Sequence, residues 1–119
     1  MIEQHYDSIE IQEYLEGRDY LLSDSYNWIN GENKEIAITS MDAIYQINCM
    51  KWLAICLDDL IVESEEVKSK MQPLIIAKME EFKELFLLAI KKEKDPLKSS
   101  YKEKYKAIKK EFKDNLRKL

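Results

Sequence analysis

The chain has 119 residues, 45% of them hydrophobic and 35% charged, with two glycines, two prolines, two cysteines and one histidine. That length suits one domain with its own apolar core, and the scarcity of Gly and Pro argues against a turn-rich sheet protein and for long helices. The net charge of −4 is unevenly spread: residues 1–66 carry 15 acidic and 3 basic side chains and residues 67–119 carry 8 acidic and 16 basic, which points to pairing of the halves or to a charged partner.

Residues 1–12 are acidic, not basic followed by apolar, so no secretory signal is expected. Residues 1–24 read as a first helix. Asp7 or Ser8 can cap it, and Glu10 lies where a capping box starting at Asp7 needs a carboxylate. Ile11, Tyr14, Leu15, Leu21 and Leu22 form its stripe, and Gly17 weakens or kinks it. Residues 25–39 change character. Tyr26, Trp28 and Ile29 lead into Asn30-Gly31-Glu32-Asn33, and Ile36 and Ile38 then alternate with Glu35 and Ala37. Asn-Gly between two β-prone runs predicts a short hairpin, which must lean on the helices for stability.

Thr39 or Ser40 is the expected cap of a second helix running to about Val62. It is apolar on most sides (Met41, Ile44, Tyr45, Ile47, Met50, Trp52, Leu53, Ile55, Leu57, Leu60, Ile61), the mark of a central, buried helix. Cys49 and Cys56 share one face of it. Seven residues of helix rise by ~10 Å, too far for a disulfide, so both read as buried free thiols of a reducing compartment. Pro73 suits a first helical turn, which places the start of the third helix near Gln72. Leu74, Ile75, Met79, Phe82, Leu85, Phe86, Ala89 and Ile90 give it an apolar face, and Asp95-Pro96 stops it. The fourth helix spans residues 98–119 with one clean stripe, Tyr101, Tyr105, Ile108, Phe112, Leu116 and Leu119, and lysines elsewhere. The fold expected is mainly α: a small four-helix bundle with a short β-hairpin between helices 1 and 2, one domain over 1–119 with a semi-independent basic helix at 98–119. That helix either folds back and neutralises the acidic half or projects toward a partner, and its stripe favours folding back. Apolar runs such as 52–57 fall far short of the ~20 residues of a membrane span, so a soluble, cytoplasmic protein is expected, with no membrane partner.

Trp28, Ile36, Ile38, Met41, Asn48 and Leu53 follow a recognisable spacing: Trp, a Gly-bearing turn, two alternating isoleucine-like positions, Met, then a helix with His, Asn and Leu. On these residues the segment 28–53 resembles a widespread type of small phage and prophage protein. Tyr45 stands where that pattern usually has His, and Gly31 comes slightly early. The resemblance implies an origin in a mobile genetic element of a bacterial host and no particular activity. Physically, Trp28, Ile36 and Ile38 are expected to pack the hairpin onto Met41, Tyr45 and Asn48, with Asn48 satisfying a hairpin backbone group.

Little in the sequence suggests catalysis. His5 is the lone histidine, near the N-terminus, with nothing beside it to hold a metal or build a base. The cysteines lack an activating partner. Asp58, Asp59, Glu63, Glu65 and Glu66 lack the alternating, Gly-bearing pattern of a calcium loop. Gly17 and Gly31 cannot make a phosphate-cradling loop. No catalytic, metal or cofactor site is expected, and no enzyme. The leading expectation is a phage accessory protein that binds a basic surface on a host protein stoichiometrically and inhibits a defence or nucleic-acid-handling function. Its face would comprise Glu10, Glu13, Tyr14, Glu16, Asp19 and Tyr20, with Asp58, Asp59 and Glu63. An alternative is nucleic-acid binding through Lys102, Lys106, Lys109, Lys110, Lys113 and Arg117, although that helix holds one arginine and no recognised binding signature is present. Another is self-association into a homodimer, by pairing acidic with basic halves or through the aromatic stripe.

Overall fold

In a computed structural model, which describes residues 8–119, the chain forms four helices with a two-stranded antiparallel hairpin between the first and the second, as the sequence predicts. Helix α1 spans Ile9–Leu15 and is capped by Ser8, whose Oγ accepts from the Ile11 N–H at 3.5 Å. The expected start of this helix, Asp7 and His5 lie outside the described residues. The helix does not run on to residue 24. Gly17 adopts φ +77°, a left-handed conformation that glycine holds without a Cβ penalty, and Asp19–Leu22 then form a separate 3-10 turn.

Strand β1 (Asn27–Ile29) pairs with β2 (Glu35–Ala37), with Trp28 opposite Ile36. The turn is longer than the Asn-Gly pair suggests. Asn30 Oδ1 accepts from the N–H groups of Glu32 and Lys34 at 2.9 and 3.0 Å, and Asn33, not Gly31, takes the left-handed conformation. After the hairpin, Thr39 and Ser40 fall in a 3-10 turn, Ile38–Ser40. The cap of α2 (Ala43–Leu60) is therefore Asp42, whose Oδ1 accepts from the Tyr45 N–H at 3.0 Å. Gln46 does the work expected of Asn48: its Nε2 donates to the carbonyls of Ile38 and Met41 at 3.3 and 3.2 Å, while Asn48 is exposed.

Helix α3 spans Glu65–Ile90, so it begins well before Gln72. Ser64 caps it, accepting from the Val67 N–H at 3.4 Å, and Glu65 and Glu66 in the first turn complement the helix dipole. Pro73 sits inside the helix. It is tolerated because it and Ser69, whose carbonyl loses its partner, both face solvent.

The hairpin docks on α3 through Trp28; of the helix positions expected to receive it, Tyr45 meets the Asn30 side chain of the turn and Asn48 is exposed. Trp28 meets the Phe82 ring edge-on at 5.3 Å and stacks on Tyr20 at 4.3 Å. Lys78 is only 3% exposed. Its ammonium donates to the carbonyls of Asp24 and Asn27 at 3.1 and 2.8 Å and pairs with Glu81 at 2.8 Å. Glu81 also accepts from the Tyr26 N–H at 2.9 Å.

Helix α4 (Leu97–Arg117) folds back along α2. Tyr105, Ile108 and Phe112 are buried, Tyr105 stacks on Phe86 at 4.4 Å, and Asn115 Nδ2 donates to the Ala54 carbonyl at 3.1 Å. The stripe is therefore covered by the chain's own core. The expected neutralisation does not accompany it. The ion pairs of α4 among the described residues, Lys110–Asp114 at 2.8 Å and Arg117–Asp114 at 3.8 Å, stay within the helix. Apolar burial, not charge, returns this helix to the body.

Phe112→Ala is expected to lower unfolding free energy by about 3–5 kcal/mol, and Lys113→Ala to change it by less than ~0.5 kcal/mol. Pro73→Ala is expected to raise it by about 1–3 kcal/mol by restoring a helix hydrogen bond. Urea titrations of the three variants measure all of this.

Candidate protein-binding cleft

Helix α2 carries more apolar residues than its packed faces can bury. Trp52 remains 55% exposed, Ile55 43% and Tyr45 37%, with exposed Asn48 between them on the same side. This side of α2 faces the hairpin turn and the segment after α1. Tyr45 lies by the Asn30 side chain of the turn.

Arg18 fixes the segment after α1. The left-handed Gly17 turns the chain so that Arg18 points back. Its Nη1 donates to the Tyr14 carbonyl at 2.6 Å, its Nη2 meets Asp59 Oδ2 at 2.7 Å, and its guanidinium lies 4.2 Å from the Tyr14 ring centre. Beneath it, the Tyr14 hydroxyl donates to the Cys56 carbonyl at 2.7 Å. The Tyr20 hydroxyl and Cys56 Sγ are 3.1 Å apart. These contacts stitch residues 14–20 to the last two turns of α2.

Between this segment, the hairpin turn and α2 lies a cleft of ≈ 550 Å³. Tyr20, Trp28 and buried Cys56 form its floor, Trp52 and Ile55 one wall, and Ile29, Asn30, Gly31 and Asn33 the other. Glu16, Asp19 and Asp59 line it as carboxylates, against the single cation of Arg18. The floor itself is neutral. Burial raises the Cys56 thiol, and pushes that of Cys49, which is buried outside the cleft lining, up to about 12. Burial, reinforced by neighbouring Cys56, raises the phenols of Tyr14 and Tyr20. Charge in the cleft thus comes from its rim.

The expected binding residues separate into groups. Glu16, Asp19, Tyr20 and Asp59 come together at the cleft. Tyr14 is buried below it and supports it. Glu13 and Asp58 are exposed outside it, Glu10 accepts from Ser64 Oγ at 3.1 Å, and Glu63 is half-buried beyond α2. Among the described residues, no group of three or more His, Cys, Asp or Glu side chains is placed to hold a metal ion. Among the same described residues, no helix is long and apolar enough to cross a membrane. Of the basic residues on α4, Lys102, Lys106, Lys110, Lys113 and Arg117 are exposed, while Lys109 lies 4.4 Å over the Tyr105 ring.

Trp52, Ile55, Trp28 and Arg18 escape a reading based on charge and tyrosines. A signal for them exists. Trp52 and Ile55 are surplus to the spacing that buries Met50, Leu53 and Leu57, and Arg18 is the lone cation among the first 33 residues. No protein-family model matches the chain, and no curated protein or solved structure shows significant similarity to it.

The buried thiols and phenols set a pH dependence. The unfolded chain loses these protons from 9.0 for cysteine and 10.0 for tyrosine, while the folded chain holds them longer, Cys49 to about 12. The folded state then binds more protons, so stability falls as pH rises. Unfolding free energy is expected to show no contribution from these groups below pH 9 and a decline between pH 9 and 12, measured by denaturant titration across that range.

Proposed function

We propose that this is a phage or prophage accessory protein that acts in the bacterial cytoplasm by binding a basic surface of a host protein stoichiometrically, through the cleft beside Trp52. The supporting observation is the half-exposed Trp52 and Ile55 beside a recessed aromatic floor with carboxylates at the rim. Tryptophan is among the residue types enriched at binding hot spots. Rim carboxylates select and steer a basic partner. The phage-like segment 28–53 supplies Trp28 of the floor, Trp52 of one wall and the Ile29, Asn30, Gly31 and Asn33 wall opposite, so the resemblance and the cleft share residues. Inhibition follows if the occupied surface is the one the partner uses for its own work, in defence or in handling nucleic acid.

A second reading is favoured by the outward face of α4. Its exposed cations are not neutralised by the acidic half: Lys110 and Arg117 pair only with Asp114 of the same helix, and Lys102, Lys106 and Lys113 face solvent, where they can meet phosphates. A gel shift at two salt concentrations separates the readings, because phosphate contacts weaken steeply with salt.

Affinity capture from bacterial lysate is expected to retain one protein at a one-to-one ratio with the wild-type chain. Trp52→Ala is expected to weaken its binding by about 30-fold or more, the effect of losing a hot-spot residue. Capture unchanged by Trp52→Ala, or no specific protein retained, contradicts the reading.

A further inference from the structure

We infer that the cleft takes a single arginine side chain of the partner, laid against Trp52 and held by the rim carboxylates. This rests on the protein-binding reading above and names the group that is recognised. Three observations converge on it.

The first is the lining. Tyr20, Trp28 and Trp52 offer aromatic surface, and Glu16, Asp19 and Asp59 offer carboxylates, in one cleft. Aromatic faces attract cations through their quadrupole. Carboxylates accept the paired N–H donors of a guanidinium. A planar guanidinium stacks flat on the first while pairing bidentately with the second, a geometry a compact ammonium lacks.

The second is charge. Among the described residues, the one ion pair in the cleft is Arg18–Asp59. Glu16 and Asp19 are exposed and have no ion-pair partner. The Asp59 side chain also stays 44% exposed despite Arg18. An aliphatic anchor would strip water from these carboxylates and return no hydrogen bond. A cationic anchor replaces that water with charge-assisted bonds.

The third is the internal precedent. Arg18 is already bound in this way at the cleft edge, its guanidinium over the Tyr14 ring and its Nη2 on Asp59. The same residue types, aromatic face and carboxylate, line the rest of the cleft as Trp52, Glu16 and Asp19.

The test is a titration of the intact chain with N-acetyl-arginine amide, followed at the indole N–H signals of Trp28 and Trp52. N-acetyl-citrulline amide, which is nearly isosteric and neutral, and N-acetyl-norleucine amide serve as comparisons. The expected result is a saturable shift at Trp52 with arginine, and binding of citrulline and norleucine amides weaker by about tenfold or more. The double variant Glu16→Gln/Asp19→Asn, at two exposed positions, is expected to weaken arginine binding by about fivefold or more while its thermal midpoint stays within a few degrees of wild type. Citrulline binding as tightly as arginine, norleucine binding more tightly, an unaffected double variant, or no Trp52 shift with arginine overturns the inference. None of those outcomes touches partner capture and its Trp52 dependence. Conversely, arginine binding without Trp52-dependent capture would sink the partner reading alone.

Discussion

The ammonium of Lys78 lies almost wholly out of water, and the placement of the whole N-terminal third depends on how that charge is satisfied. A buried cation without partners is costly enough to unfold a domain of this size. Two of the three acceptors that Lys78 finds are backbone carbonyls, of Asp24 and Asn27, on the stretch leading into β1. The third, Glu81, holds the intervening Tyr26 N–H as well. One side chain of α3 thus fixes where the hairpin starts. Trp28 then falls on Phe82, one turn along the same helix, and the hairpin turn arrives opposite Trp52 to close the cleft. The chain of consequence runs from a buried charge to a loop position to the shape of the cleft.

Much of the architecture was legible. The stripe from Tyr105 to Phe112 announced a docked fourth helix, because apolar residues at that spacing lose too much by facing water. The alternation around Trp28 and Ile36 announced a hairpin. Boundaries were less legible where two local signals competed. Pro73 suggests a helix start, but Ser64 followed by Glu65 and Glu66 is an equally good cap, and a solvent-facing proline costs a helix less than a lost cap and first turn anchored by buried Val67. Gly17 suggests a weakened or kinked helix and is a true break, since its left-handed conformation is incompatible with continuing the helix.

The site was harder to see because pattern does not say which apolar face a helix buries. Helix α2 looks central on every side, yet Trp52 and Ile55 are left out of the core while Gln46 is taken in. Lys78 was equally open to view: it occupies a core spacing with Met71, Ile75 and Phe82. Glu81, three residues on, is a partner the sequence shows; the other two acceptors are backbone carbonyls more than fifty residues away, which leave no side-chain signature. The charge split persists in the folded chain as a surface property. Helix α4 returns through its apolar stripe and keeps its cations outward, so the molecule presents opposite potentials on different faces and orients in the field of a charged partner before contact.

The two tryptophans give the protein a pair of built-in optical probes with separate duties. Trp28 is buried and stacked on Tyr20, whereas Trp52 stands in solvent at the mouth of the cleft. The first indole emits from an apolar setting shielded from aqueous quenchers, and the second from a wet one open to them. Unfolding moves the signal of Trp28 toward that of Trp52, and occupation of the cleft moves the signal of Trp52 toward that of Trp28. Unfolding and occupation of the cleft therefore shift the emission of this chain in opposite directions, and an iodide quenching curve resolves one from the other without any label.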